Sequence, residues 1–241
     1  MLNPFPGPLV SVPVPTPVWT PALLPGIQAW WRAQPDLITV AGADVTSWGS
    51  LINGSSDNRS ISFLAGNHAQ YTAPDDFCEF TPNVYMQSLL PMIASLPLDM
   101  RSVWTTFSLT ATNSMYRTIQ SWDNGGTDIP FACGVDNTSK LFASNTVNIA
   151  TGTTTLADDG TLYRAVFSMS ADDGLIRVYL NTVLEATTTF VIGPSDRLLV
   201  GAHLLGIGFK GKLNELIVSR AVASAANIAR YQTYSVNEFG P

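Results

Sequence analysis

Lysine occurs three times in 241 residues, at Lys140, Lys210 and Lys212, and histidine and cysteine twice each. Each shortage closes a route. With a net charge of -6 and a pI near 4.7, the chain has no basic stripe for a phosphate backbone, which excludes nucleic acid as a partner. His68 and His203 stand alone, and neither Cys78 nor Cys133 has a CxxC or histidine companion at metal-ligand spacing. The cysteines are therefore either two buried thiols or, as in a secreted sandwich, one disulfide. No apolar stretch approaches the length of a membrane span, so no membrane is expected as a partner. No charge precedes Arg32, so the basic start of a secretory signal is missing, and prolines interrupt the apolar run such a signal needs. The expected place is the cytoplasm, or a larger particle assembled there.

Charge is scarce overall, at 12% of residues, about half the usual share. Abundant Ser, Thr, Asn and Gly suit short strands and many turns better than surface helices. A hydrophobic fraction of 46% builds a substantial core, and one large all-β domain is expected.

Residues 1–25 form a distinct segment with eight of the sixteen prolines and no charge. Proline lacks an amide donor and fixes φ, so the segment is expected as an extended arm in polyproline-II or single extended passes. Its other residues include Phe5, Leu9, Val10, Val12, Val14, Val18 and Trp19, too apolar for a solvated linker. Such an arm lies on a partner's surface or on its own sandwich, and the partner is the expectation taken forward.

From Gly26 strands and turns alternate through residue 239. Ile27 to Trp31, Val45 to Leu51 and Gln70 to Phe80 come first. In Val103 to Thr110 the spacing puts Val103, Phe107 and Leu109 on one face. Tyr163, Ala165, Phe167 and Met169 likewise share a face, Asp172-Asp173-Gly174 supplies a hairpin turn, and Ile176, Val178 and Leu180 alternate on the return strand. KLNELIVS, Lys212 to Ser219, is apolar on both faces, as an inner strand requires. Ser224 is placed to cap a short helix running to about Tyr234. Trp30, Trp31, Trp48 and Trp104 fall in strand-like runs and are expected in the core.

The passage from YRAVFSMSADDGLIRVYLNTVLEAT to GFKGKLNELIVSRAVASAANIARY resembles the C-terminal half of laminin-G-like, concanavalin-A-like jelly-roll domains. There a WHHVAVTYD-type strand precedes LRLYVDGVLVA and then FNGYIDEVRIYNRALSEAEI. VWTTFSLT resembles that family's FTLSAWV strand, and Asp75, Asp76 and Phe77 match its FDGVDDYV turn, with Pro74 in place of Gly. The resemblance implies an antiparallel two-sheet jelly-roll sandwich over residues 26–239, ending in one short helix. Asn181-Thr182 stands where relatives have Asp-Gly, which implies a turn of another type. Asn214-Glu215 stands where they have Asp-Glu, which implies a structural polar contact.

Jelly-roll glycosidases of the laminarinase type need ExDxxE on one strand, so that one carboxyl attacks while the other donates a proton. The four glutamates, Glu79, Glu185, Glu215 and Glu238, are scattered. A nucleophile elbow GxSxG is missing, and proton abstraction by clustered Tyr, His, Arg or Lys finds too few bases. No enzyme is expected. Laminin-G-like relatives often hold calcium, which makes Asp123, Asn124 and Asp128 in SWDNGGTD, or Asp75 and Asp76, its candidates; the same residues fit plain Asx turns, and no cofactor is assigned. Trp122 beside Asp123, Asn124 and Asp128 also has the local grammar of a glycan site, a ring to stack on and oxygens to hold hydroxyls. The opposing reading turns Trp122 into the core.

The resemblance to sandwich modules carried by bacteriophage virions implies a non-enzymatic structural protein, a capsid decoration, head-fibre or tail-appendage protein. Its arm would dock on capsid or tail proteins, its sandwich would face outward, and arms crossing between neighbours would make a homotrimer. The alternative is a lectin or adhesin domain of a bacterial surface protein that binds surface glycans.

Overall fold

A computed structural model describes residues 18–52, 61–63, 68–73, 76–81, 86–88, 102–110, 117–123, 131–145, 147–189, 197–201 and 208–241. Their strands are β1 (Ile27–Arg32), β2 (Ile38–Ala41), β3 (Asp44–Trp48), β4 (Ile61–Phe63), β5 (Cys78–Phe80), β6 (Met86–Ser88), β7 (Ser102–Leu109) and β8 (Arg117–Asp123). The second half adds β9 (Phe131–Val135), β10 (Lys140–Ser144), β11 (Ile149–Thr155), β12 (Tyr163–Ser170), β13 (Leu175–Leu180), β14 (Val183–Thr189), β15 (Arg197–Val200) and β16 (Gly211–Ser219). A single 3-10 turn, Pro21–Leu23, precedes them, and a helix, α1 (Ala225–Phe239), follows.

The strands pair antiparallel in two sheets. One runs β1-β16-β7-β12-β13-β14, with β5 sharing the β1 edge of β16, and the other runs β11-β10-β9-β8-β15-β6-β4-β3-β2. Alternation explains the main core between them. Val103, Phe107 and Leu109 of β7, Tyr163, Ala165, Phe167 and Met169 of β12, and Ile176, Val178 and Leu180 of β13 all point into it, as period-2 patterning dictates. The two-sheet antiparallel sandwich expected from the sequence is the fold observed. All four tryptophans assigned to the core are buried. Both cysteines are free, buried thiols, held in the protonated form by burial that raises their pKa.

Turn chemistry fixes the β12–β13 hairpin. Gly174 takes φ +66°, and the Asp173 carboxylate accepts the Leu175 amide at 3.1 Å. The β13–β14 turn departs from expectation. Asn181 and Thr182 adopt φ +46° and +79°, the two left-handed positions that Asp-Gly would occupy, so the turn keeps the primed geometry without its glycine.

Unusually for a sandwich strand, β7 and β12 are buried on both faces. Their second face meets α1. Trp104 and Val166, with Trp30 of β1 and Ile217 of β16, form a second core with Leu24, Ile228, Tyr231 and Tyr234. Ser224 caps α1 by accepting the Asn227 amide at 3.2 Å, the cap the sequence predicts. The helix runs five residues beyond Tyr234, because its end is held: Arg164 of β12 donates to Ser235 Oγ at 3.1 Å and to the carbonyl of Gly240. A cation there also complements the helix dipole.

Candidate glycan-binding groove

A polar seam lies beneath α1. It arises from one irregularity in β16, where the register against β7 shifts between Leu213 and Glu215. The extra residue, Asn214, inverts the alternation that follows. Leu213 faces the main core with Phe107, whereas Glu215 aligns with Thr106 and faces the helix. Glu215 is fully buried, and its Oε1 accepts from Trp30 Nε1 at 2.6 Å and Tyr234 OH at 2.9 Å. Burial pushes its pKa up to about 7 despite those donors. Nearby, Thr106 Oγ1 shares hydrogen bonds with Tyr231 OH at 3.0 Å and Ser235 Oγ at 2.7 Å. Asn214 Nδ2 donates to the carbonyl of Asp76 at 2.9 Å, so the Asn214-Glu215 pair is architectural in both members.

On the outer side of this seam the segment leading into β1 meets the C-terminal helix. Val18 and Trp19 pass beside α1 and enclose a groove of about 290 Å³ with Ala229, Arg230, Thr233, Tyr234, Asn237 and Glu238. Helical spacing puts Ala229, Arg230, Thr233 and Asn237 on one exposed stripe while Ile228, Tyr231 and Ser235 are buried. Trp19 meets Tyr234 edge to face at 6.0 Å between ring centroids, and Trp30 meets it edge to face at 6.2 Å. Of the lining residues, Glu238 pairs with Arg32 at 2.6 Å, and Arg32 lies over the Phe239 ring at 5.2 Å. The groove thus offers aromatic and aliphatic walls, an amide, a hydroxyl, a guanidinium and a carboxylate, which suits a polyhydroxylated ligand with one apolar face.

Comparison with solved structures places the architecture. The CBM40 of Ruminococcus gnavus IT-sialidase bound to α2,3-sialyllactose superposes with a TM-score of 0.56 at 15% identity, over 66% of this chain and 97% of that one. The fold is that of a lectin-type β-sandwich. The same CBM40 bound to α2,6-sialyllactose gives 0.54 at 16% identity, over 65% and 96% of the two chains. Trypanosoma rangeli sialidase gives 0.65 at 11% identity over 89% of this chain, which spans about a third (33%) of that enzyme's length. No protein-family model and no curated protein matches the chain. These likenesses bear out the sandwich and say nothing of laminin G itself or of a virus particle.

Only some of the sequence-predicted site residues fall among the described ones. Trp122 lies in β8 at the register position between Phe131 and Leu198, both buried in the main core, and Asp123 ends the same strand. Asn124, Asp128 and Asp75 lie outside the described residues, as do Phe5, Leu9, Val10, Val12 and Val14 of the arm. Of the arm's two described members, Val18 is exposed and Trp19 packs on the chain's own helix. Among the described residues no group of three His, Cys, Asp or Glu is placed to hold a metal ion. Sequence reasoning missed Arg230, Thr233 and Asn237. Their signal was the polar stripe of α1, which became a wall only once Trp19 was placed beside it.

Proposed function

We propose that this protein is a non-catalytic carbohydrate-binding module that takes a glycan in the groove between Trp19 and α1. The observation that carries the reading is the groove's composition, an aromatic wall facing Arg230, Thr233 and Asn237 at one-turn spacing on one helix. Support also comes from the CBM40 likeness, since those modules are solved with sialyllactose bound. Three of the four glutamates are committed to structural contacts. Glu215 is buried under the helix, Glu238 is paired with Arg32, and Glu185 is spanned by Thr153 and Thr154. The virion reading draws no support from the structural relatives, nor does a trimer, and the arm's last aromatic is turned onto its own helix.

A glycan array that includes both sialyllactoses, followed by calorimetry, tests the reading. Asn237→Ala and Arg230→Ala should each weaken binding about tenfold or more, with an unchanged circular dichroism spectrum. An array that stays silent sinks the proposal. Loss of binding in Asp128→Ala, with the groove variants unaffected, moves the site to the loop at 122–128 and equally overturns the groove.

A further inference from the structure

Tyr234 belongs to both places at once: its ring lines the groove, and its hydroxyl donates to the buried Glu215. We propose that Glu215 is a pH-sensitive latch, holding the C-terminal half of α1 on the sheet when protonated and loosening it, together with the groove, when ionised.

The geometry makes the two states unequal. Glu215 Oε1 accepts two hydrogen bonds, but Oε2 is buried and has no hydrogen-bond partner among the described residues. An unpartnered hydroxyl in a seam closed to water costs far less than an unpartnered half-charge. The surroundings supply little compensation. From β1 come Trp30, already donating, and Arg32, whose guanidinium is engaged by Glu238 and Phe239. From α1 come Tyr231, whose hydroxyl offsets part of the carboxyl's burial, Tyr234 and Glu238, and from β12 comes Arg164, held by Ser235 and Gly240. Thr106 of β7 does not titrate. Burial and the charge of Glu215 push both tyrosines further up, so they stay protonated through the neutral range. Glu215 alone of this seam is raised to about 7, and it reports the pH to the helix.

The sign follows from linkage. A carboxyl whose docked-state pKa is raised above its exposed value of 4.5 binds its proton more tightly when docked. Docking is therefore strongest below pH 4.5 and weakens as pH rises through about 7. That shift makes docking on the order of 30-fold weaker at pH 8.5 than at pH 5.5.

The latch is tested on the full chain in three readings. A carbon-13 titration of the Glu215 carboxyl needs no variant; a midpoint between about 6 and 8 supports the latch, and one below 5 overturns it. Hydrogen exchange of the Tyr231–Phe239 amides, corrected for intrinsic rate, is compared at pH 5.5 and 8.5 in wild type and Glu215→Gln. Protection should fall by on the order of 30-fold in wild type and stay level in the variant. A level wild type, or an equal fall in both, overturns the proposal. The third reading rests on the glycan function: α2,3-sialyllactose should bind wild type more weakly at pH 8.5 than at pH 5.5, and Glu215→Gln equally at both. Silence of the sugar at both pH values, with protection falling in wild type alone, sinks the glycan reading and leaves the latch standing.

Discussion

Thr182 is held at φ +79°, a conformation in which a β-branched side chain crowds its own backbone. Its neighbour Asn181 tolerates φ +46° because its side chain is short and polar, and Asn181 Oδ1 also accepts the Arg164 amide at 3.2 Å. Thr182→Gly should therefore relieve strain and stabilise the protein by about 1 kcal/mol, even after the added freedom of glycine in the unfolded chain. Urea unfolding at constant slope checks this, and an unchanged or lower midpoint counts against strain at this turn. The thiols give a second residue-scale test. Cys78 and Cys133 are wholly buried and held as thiols by burial, so neither should react with a thiol reagent at pH 8 until urea unfolds the chain. Prompt titration of either in the native protein would contradict their placement.

At the scale of elements, the edges of the two sheets are laced by one side chain. Glu185 of β14 accepts the amides of Thr153 and Thr154 at 2.8 and 2.9 Å and both their hydroxyls at 2.7 Å. Partial burial alone would raise its pKa, but these four bonds outweigh it and bring it down to about 2. Its contribution is thus fully present above the unfolded value of 4.5 and is lost as pH falls through about 2. Solvent screening holds that contribution to about 0.5–1 kcal/mol. Glu185→Gln should speed exchange of the Thr153 and Thr154 amides at pH 7 and reduce the wild type's loss of stability between pH 4.5 and 2, to which Asp159 and Asp173 also contribute; an undiminished loss would assign it to those other groups. Elements of this kind show what the sequence could reveal. The β12–β13 hairpin and the Ser224 cap were legible because alternation, Gly174 and the cap residue all agree locally. The side taken by Glu215 was not, since the bulge at Asn214 leaves no mark in the hydrophobic pattern. Nor was the end of α1, where SVNEF is an indifferent helix former completed by Arg164, a residue of a distant strand.

For the whole molecule, the groove is a consequence of topology. β1 and β16 are neighbours in one sheet, so the segment leading into β1 and the helix leaving β16 emerge on the same face, and Trp19 reaches Tyr234. No local motif announces that meeting of Trp19 with α1. It also changes what an arm deletion tests. Leu24 is buried in the second core and Trp19 packs against it, so a cut at residue 25 removes part of the fold along with the arm. Relative to a chain lacking residues 1–17, one lacking 1–25 should be less stable by about 3 kcal/mol, a drop in Tm of roughly 6–12 °C for a domain of this size. It should also lose glycan binding that the shorter deletion keeps. Equal melting of the two truncated chains would show that residues 18–25 contribute nothing to α1 docking, and would remove Trp19 as a wall of the site.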